Sequence, residues 1–451
     1  MIRRPPRSTQ GVSSAASDVY KRQDHGIDAH AFERTELVGG VWNHTYKNVR
    51  LQQHKDDFRL SGTEWHPGVK DFPDAKAVEA YVGKFVHEHN LRGRVSLGVE
   101  VVAATRAAKT TSVTADAMGN ENASDSREEW KIELSDGRVV RAEHLVVATG
   151  ALGKPKIAAD VSALFDEHFS GETLHSSEYY DAERFHGKDV LVLGGGSSAV
   201  EIAVDLARAA NSTTMSIRGD VDWVFPRHGA FGQSLRLCGG GDDAPLWVRN
   251  LAARATFRLK HGKLARYGMQ PKGAPLNRRI VVSDEFYPLI AHGAIHVNRG
   301  GIKSVAGDVV TFQDGSKHRF DAVVLCTGYD IATSASAHPY LKEHLASVAR
   351  ISEEASLQFY LGCFLPDVEN CSFIGGCFGF AAVPRIAELQ AKAAVNVIAG
   401  VRPLPDAETQ RRHIRRALAF HVQKGNTNAV SYTHLRAHET EADLVCRLLL
   451  E

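Results

Sequence analysis

The sequence lacks several features that mark common classes of protein. Its six cysteines form no C-x-x-C pair and no metal-ligand spacing, which disfavours a flavin-linked disulfide reductase and a structural zinc site. There is no apolar run of membrane-spanning length and no signal-peptide pattern. A formal net charge of +1 gives no electrostatic attraction for nucleic acid. We therefore expect a soluble, cytoplasmic protein without a nucleic-acid partner, and membrane association is not indicated.

A glycine-rich turn lies between a predicted strand and a predicted helix. The strand is the apolar run Asp189–Leu193, the turn has the pattern G-x-G-x-x-A, and apolar residues recur at helical spacing over 202–209. Glycines let the backbone approach a pyrophosphate, which the amide groups of the helix N-terminus attract. This indicates dinucleotide binding, although a plain connecting turn is the alternative. The predicted contacts are Gly194, Gly196, Ser197, Ser198 and Ala199.

The residue that follows the next predicted strand indicates which dinucleotide is bound. That strand covers 213–217 and ends on Arg218, where an NAD-preferring fold usually has an acid that binds the ribose 2′-hydroxyl. An arginine here favours NADPH, because its guanidinium can bind the 2′-phosphate. The alternative is an ordinary surface arginine.

A second nucleotide-binding unit is incompletely present upstream. Residues 29–33 predict a strand that ends in Glu33, a candidate ribose ligand, and a turn containing Gly39, Gly40 and Trp42 follows. The glycine loop usually precedes such an acid by about 20 residues. Residues 1–23 contain no strand-plus-glycine pattern. We therefore predict that the first strand and phosphate loop of this unit are missing.

The two ends of the chain differ from the rest. Residues 1–23 are rich in Arg and Ser, as in a transit peptide or a basic tail, but either would precede an intact domain and not replace its first strand. This segment and residues 431–451 resemble translated sequencing adaptors. We expect both to be artefacts and the natural sequence to cover about 24–430. The alternative for residues 431–451 is a short amphipathic helix.

Between these units the sequence predicts ordinary scaffold. Asp74 should begin a helix, 46–55 should form a loop and a strand, and the polar segment 109–128 should be an exposed excursion before a hairpin over 130–141. Two similar strand-plus-turn segments occur at 145–150 and 322–329. Small residues let such turns pass close to a nucleotide, and tight packing is the alternative reading. The candidate contacts in the second turn are Thr327 and Gly328.

One motif carries a resemblance to a known family. Residues Phe169, Gly171, His175 and Tyr179 match F-x-G-x-x-x-H-x-x-x-Y. With the glycine turns and their order, this motif makes residues 24–400 similar to the flavin-containing monooxygenases, the class B flavoprotein monooxygenases. Related Baeyer–Villiger enzymes typically have Trp where this chain has Tyr179, which favours oxygenation of a heteroatom over oxidation of a ketone.

The resemblance implies an α/β fold with two dinucleotide-binding, Rossmann-like domains. An FAD domain would be discontinuous, formed by 24–158 and 325–430 and lacking its first strand and glycine loop. An NADPH-binding domain would occupy 159–324. Removing a central strand and the phosphate cradle should weaken FAD binding.

The resemblance also implies a reaction. NADPH reduces FAD, O₂ adds at flavin C4a, and the hydroperoxide transfers one oxygen to a soft nitrogen or sulfur nucleophile of a small molecule. Glu33, Gly39, Gly40 and Trp42 would contact FAD, and Arg227 would lie near Arg218 at the 2′-phosphate. Gln52 stands where many relatives have an Asn beside the flavin, so it is the candidate catalytic residue. The alternatives are a ketone-oxidising enzyme and an inactive fragment that binds only NADPH.

Overall fold

The computed structural model describes residues 26–108, 128–150, 152, 155–227, 246–275, 280–329, 359–366, 368–375 and 383–423. The segments 1–25, 109–127 and 424–451 are outside this set. The expectations about foreign ends, a missing phosphate loop and an exposed excursion concern those segments and lie outside the described residues.

The described strands and helices alternate along much of the chain. The strands are β1 (Ala31–Glu33), β2 (Val95–Leu97), β3 (Val101–Ala108), β4 (Glu128–Leu134), β5 (Val139–Ala142), β6 (Leu145–Val147), β7 (Glu172–His175), β8 (Asp189–Leu193), β9 (Ser212–Ser216), β10 (Trp223–Phe225), β11 (Ile280–Val282), β12 (His296–Asn298), β13 (Ile302–Ala306), β14 (Val309–Phe312), β15 (Lys317–Arg319), β16 (Ala322–Leu325) and β17 (Cys371–Phe373). The helices are α1 (Ala75–Glu88), α2 (Ala159–His168), α3 (Ser197–Leu206), α4 (Leu246–His261), α5 (Phe286–Ala291), α6 (Val383–Ile398) and α7 (Ala407–Gln423).

A parallel sheet lies at the centre of the second nucleotide-binding unit. Its five strands have the order β12-β9-β8-β16-β7, so that β8 is in the middle. The chain passes from β8 through α3 to β9, which places the glycine turn at the carboxyl end of the central strand. In open α/β sheets this is the edge at which ligands bind.

Both faces of this sheet are covered, because successive side chains of a strand point to opposite sides. Val190 and Val192 pack with α3 in one apolar cluster. Leu191 packs on the other face with Phe165 of α2 and Phe312 of β14. Because its middle is buried on both faces, β8 is continuously apolar after Asp189, which is why the strand could be predicted from the sequence.

Residues 24–158 and 325–430, which correspond to the expected FAD domain and are called the flavin-type half, contain smaller sheets. β1 pairs with β2, and β17 pairs with β6, both in parallel. The meander β3-β4-β5 is antiparallel and includes the predicted hairpin. Helix α1 begins after Asp74, whose side chain accepts a hydrogen bond from the Ala77 amide. The predicted strand within 46–55 is wrong, because this segment makes only an isolated bridge between Arg50 and Asp74.

The segments 155–156 and 327–329 lie side by side. Pro155 forms an antiparallel bridge with Tyr329. The Lys156 amide donates to the Gly328 carbonyl at 2.9 Å, and Thr327 Oγ1 donates to the Lys156 carbonyl at 2.5 Å. Thr327 and Gly328 thus have a structural part in joining these crossing segments.

Candidate cofactor-binding site

The first glycine of the turn lies against the neighbouring strand. Gly194 has a φ of 137°, and a Cβ built on it would lie 2.4 Å from the Cys326 carbonyl oxygen. A side chain on Gly195 would meet Ile217 Cγ2 at 2.9 Å. The ends of β8, β9 and β16 therefore converge too closely for a larger residue at Gly194, whose backbone conformation also favours glycine.

Helix α3 begins immediately after this turn. Gly196 is its N-cap residue and provides no side-chain acceptor, while Ser197 and Ser198 supply the first helical amide groups. Ala199 is fully buried against the sheet, as the predicted close helix packing requires. An N-terminus without a side-chain cap presents backbone donors and a partial positive charge, a combination that suits a pyrophosphate.

The two candidate arginines have different environments. The Arg218 side chain is 78% exposed and forms a surface ion pair with Asp160 at 3.6 Å. This side chain is therefore accessible to a ligand from solvent. Arg227 is 14% exposed and donates to the Glu201 carboxylate at 2.9 Å. Because Arg227 is engaged in this buried ion pair, Arg218 is the better candidate for the 2′-phosphate.

The first two motif residues shape the approach to β7. Phe169 packs edge-on against Phe165 with the ring centroids 5.7 Å apart. A Cβ on Gly171 would lie 2.5 Å from the Asp321 carbonyl oxygen, so the chain passes there in close contact. Both residues therefore fit a packing function.

The last two motif residues connect β7 to other elements. His175 Nε2 lies 3.1 Å from the Gly328 carbonyl oxygen, and its Nδ1 lies 2.9 Å from Ser177 Oγ. Burial lowers the pKa of His175, which favours a neutral ring. The Tyr179 hydroxyl donates to Asp205 of α3 at 2.7 Å. The motif thus ties β7 to the crossing segments and to the glycine-turn helix.

The candidate flavin contacts lie around the end of β1. Glu33 is buried, and its Oε1 accepts from the amide and the hydroxyl of Thr35 at 2.9 and 2.8 Å. Gly39 and Gly40 have φ values of 123° and 58°. Trp42 follows in a short 3₁₀ turn and packs edge-on against Phe58. Glu33 thus ends β1, and the Gly39–Gly40 turn follows it in the sequence.

Gln52 belongs to a buried polar cluster. Its amide nitrogen lies 3.4 Å from Glu201 Oε1, and the Tyr46 hydroxyl donates to Glu201 Oε2. Glu201 is on α3, so Gln52 lies beside the helix that follows the glycine turn. Burial raises the pKa of Glu201, which the positive charge of Arg227 opposes.

The sequence interpretation missed Glu201, Asp205 and Tyr46. The signal for the two acids was present, since they occur four residues apart among apolar residues of a helix predicted to pack on a sheet. Acids on such a helix need partners, which the sequence could not identify.

The residues present fit the two nucleotide cofactors in different degrees. The glycine turn, the α3 N-terminus and exposed Arg218 provide the donors that an NADPH pyrophosphate and 2′-phosphate require. Glu33 and the Gly39–Gly40 turn fit the ribose side of FAD. The expected location of the FAD phosphate loop is outside the described residues.

Two other features are absent from the described part of the chain. No helix there is both long and apolar enough to cross a bilayer. No group of three or more His, Cys, Asp or Glu residues there could hold a metal ion.

Known proteins resemble this chain along most of its length. It is 25% identical over 461 residues to a 4-hydroxybenzoate brominase (decarboxylating) of Marinomonas mediterranea, covering 94% of this chain and 80% of that protein. It is 26% identical over 460 residues to dimethylaniline monooxygenase [N-oxide-forming] 2 of Oryctolagus cuniculus, with the same coverage of 94% and 80%.

A solved structure has the same fold. Cyclohexanone monooxygenase of Rhodococcus sp. Phi1 bound to NADP⁺ superposes with a TM-score of 0.64 at 17% identity, covering 91% of this chain and 87% of that one. The model of the family described as flavin-binding monooxygenase-like matches residues 9–435. Together with the α/β fold and the glycine turn at the central strand, this match shows that the chain belongs to the flavin-binding monooxygenase-like family.

Proposed function

We propose that this protein is an NADPH- and FAD-dependent monooxygenase that inserts one oxygen of O₂ into a soft nitrogen or sulfur nucleophile of a small molecule. The observation that carries the NADPH assignment is the pairing of the glycine turn on β8 with exposed Arg218 at the end of β9. Adjacent strand ends would receive the pyrophosphate and the 2′-phosphate of one ligand. Cytoplasmic location belongs to the same proposal.

The protein's own residues bind and orient the reactants. The amide groups of Ser197 and Ser198 would hold the NADPH pyrophosphate, and Glu33 would bind the FAD ribose. When bound, the cofactors supply the hydride and the activation of O₂. The Gln52 amide, held on Glu201, would donate a hydrogen bond at the reacting end of the site. The chain need only align the reactants and exclude water.

The assignment of nitrogen or sulfur over a ketone is inferred from Tyr179 as a marker of the family motif and from the resemblance to an N-oxide-forming relative. Tyr179 is 2% exposed and bonded to Asp205, so it would influence the substrate only through the position of α3. Ketone oxidation is therefore kept as the second candidate and is included among the test substrates.

The test measures which product contains oxygen from O₂. The flavin-loaded protein is given NADPH, isotopically labelled O₂ and, in turn, a tertiary amine, a thioether and a cyclic ketone. We expect label in an N-oxide or a sulfoxide. Label in an ester or lactone would assign ketone oxidation instead. NADPH consumption that yields only H₂O₂ with all three substrates would contradict the proposed oxygenation.

A further inference from the structure

Two buried carboxylates lie on one face of the helix that follows the glycine turn. Glu201 and Asp205 are four residues apart on α3, and their side chains are 8% and 6% exposed. Buried acids are costly unless they accept hydrogen bonds. The residues that donate to these carboxylates therefore identify the segments that α3 anchors.

Three of their hydrogen-bond partners come from one segment, residues 46–52 of the flavin-type half. Tyr46 donates to Glu201, Asn48 donates to Asp205 at 2.6 Å, and Gln52 lies 3.4 Å from Glu201. The Lys47 amide adds a backbone bond to the Tyr180 carbonyl at 2.8 Å. This segment has no regular secondary structure of its own, so α3 supplies much of its anchoring.

Two further hydrogen-bond partners belong to residues 159–324, and Arg208 of the same region forms an ion pair with Asp205 at 3.9 Å. Arg227 donates to Glu201 from the segment after β10, and Tyr179 of the family motif donates to Asp205. The Glu201 carboxylate thus joins α3 to two other parts of the chain, the segment 46–52 and the segment after β10. Its Oε1 accepts from Arg227 and Gln52, and its Oε2 accepts from Tyr46. Replacing this carboxylate should therefore alter the position of the Gln52 side chain.

We propose that Glu201 is a positioning residue that holds the Gln52 carboxamide and its segment 46–52 on the helix that binds NADPH. Asp205 supports it by anchoring Asn48. In this arrangement the distance between the pyrophosphate turn and Gln52 is set by one short helix. The inference rests on the proposed function for its catalytic consequence, because only there does the orientation of Gln52 matter.

The first experiment needs no flavin. Hydrogen exchange of the amides in 46–52 is measured by mass spectrometry on the full chain and on Glu201→Gln. Because an unpaired Arg227 could impair folding of that variant, Tyr46→Phe is the milder second variant, removing a single hydroxyl. We expect at least tenfold faster exchange in Glu201→Gln and a smaller increase in Tyr46→Phe.

The matched control is Glu183→Gln. Glu183 also contacts this segment, through Lys47 at 2.9 Å, but its side chain is 78% exposed. An exposed ion pair contributes little to stability, so exchange in 46–52 should match the wild type. Unchanged exchange in both Glu201→Gln and Tyr46→Phe, or an equal increase in the control, would overturn the proposal.

The second experiment separates positioning from general weakening. In the flavin-loaded protein, Gln52→Ala and Glu201→Gln should each raise the fraction of NADPH oxidation that ends as H₂O₂, with the KM for NADPH within twofold of wild type. The double variant should be no worse than Gln52→Ala, because Glu201 acts through Gln52. Additive effects, or a raised KM with unchanged H₂O₂ yield, would refute the positioning role. If the wild type oxygenates no substrate, the proposed function fails, and the exchange experiment still decides whether Glu201 holds the segment.

Discussion

At the scale of single residues, the proposed site rests on a few positions with restricted geometry. A Cβ on Gly194 would clash with the Cys326 carbonyl oxygen, and the Arg218 side chain is exposed to solvent. Gln52 needs a buried acceptor to be oriented. Glycine and arginine are informative in a sequence because backbone conformation and charge restrict them locally, whereas the acceptor of Gln52 lies 149 positions away.

Replacement of Gly194 by alanine should damage the second nucleotide-binding unit. The new Cβ would be 2.4 Å from the Cys326 oxygen, at a φ of 137°. We expect a loss of stability of about 2 kcal/mol or more, with weaker NADPH binding, measured by thermal unfolding and titration. The control is Gly83→Ala in α1, where a Cβ meets nothing within 4 Å and stability should not fall. Equal behaviour of the two variants would contradict the close approach at Gly194.

Replacement of Arg218 by alanine should change cofactor preference. A charged hydrogen bond to the 2′-phosphate is worth about 1.5–3 kcal/mol, so the KM for NADPH should rise about 10- to 100-fold while that for NADH changes little. The control is Arg319→Ala, which removes an arginine of similar exposure, 77%, on β15. If the KM values for NADPH and NADH rise equally, the 2′-phosphate assignment of Arg218 is wrong.

At the scale of elements, the family motif joins parts of the structure that are distant in sequence. His175 links β7 to the turn after β16, and Tyr179 links it to α3. The motif could be recognised from the sequence by its spacing. The sequence could not predict what the motif contacts. Gly328 lies 153 positions along the chain from His175, and Asp205 lies 26 positions from Tyr179. The His175 contact forms where β7 and β16 lie side by side, with His175 paired to Leu325.

Exchanging Tyr179 for the tryptophan of the ketone-oxidising relatives should destabilise the protein without changing its reaction. Tyr179 is 2% exposed, stacks on Phe185 and donates to Asp205. Tyr179→Trp should therefore cost about 2 kcal/mol or more in unfolding free energy through overpacking and a lost hydrogen bond. Thermal unfolding and product analysis test this, with Tyr180→Trp, 62% exposed, as control. A stable Tyr179→Trp protein that oxidises ketones would show that this position selects the substrate.

At the scale of the whole molecule, stability should depend on pH through a buried histidine. Burial, with the nearby Lys260 and Arg266 charges, lowers the pKa of His261 at the end of α4 to about 4. Its ring lies 4.6 Å from that of Tyr287. The unfolded state binds a proton near pH 6.5, so stability is full above that value and falls as pH is lowered toward 4.

His261→Phe should remove this dependence. Relative to the variant, the wild type should lose about 2 kcal/mol of unfolding free energy between pH 7 and pH 5. Urea unfolding at the two pH values measures the difference. The exposed residue His296 provides the control, since His296→Phe should follow the wild type. Parallel curves for His261→Phe and the wild type would contradict the effect of burial.

The sequence by itself determined the local parts of this protein. Strand β8, its glycine turn, helix α1 with its Asp74 cap and the hairpin over 130–141 follow from periodicity and turn chemistry, which act over a few residues. The sequence does not predict the conformation of segment 46–55, because contacts with α3 and with Asp74 impose it.

Only the tertiary structure decided how these parts meet. It paired Arg227 with Glu201 and left Arg218 exposed, although both arginines were candidates for the same phosphate. It also brought the Gln52 and Tyr46 side chains into contact with Glu201 on the helix that follows the glycine turn. The physical reason is that hydrogen bonds and burial depend on distance in space, which a linear pattern does not contain for residues 149 or 155 positions apart.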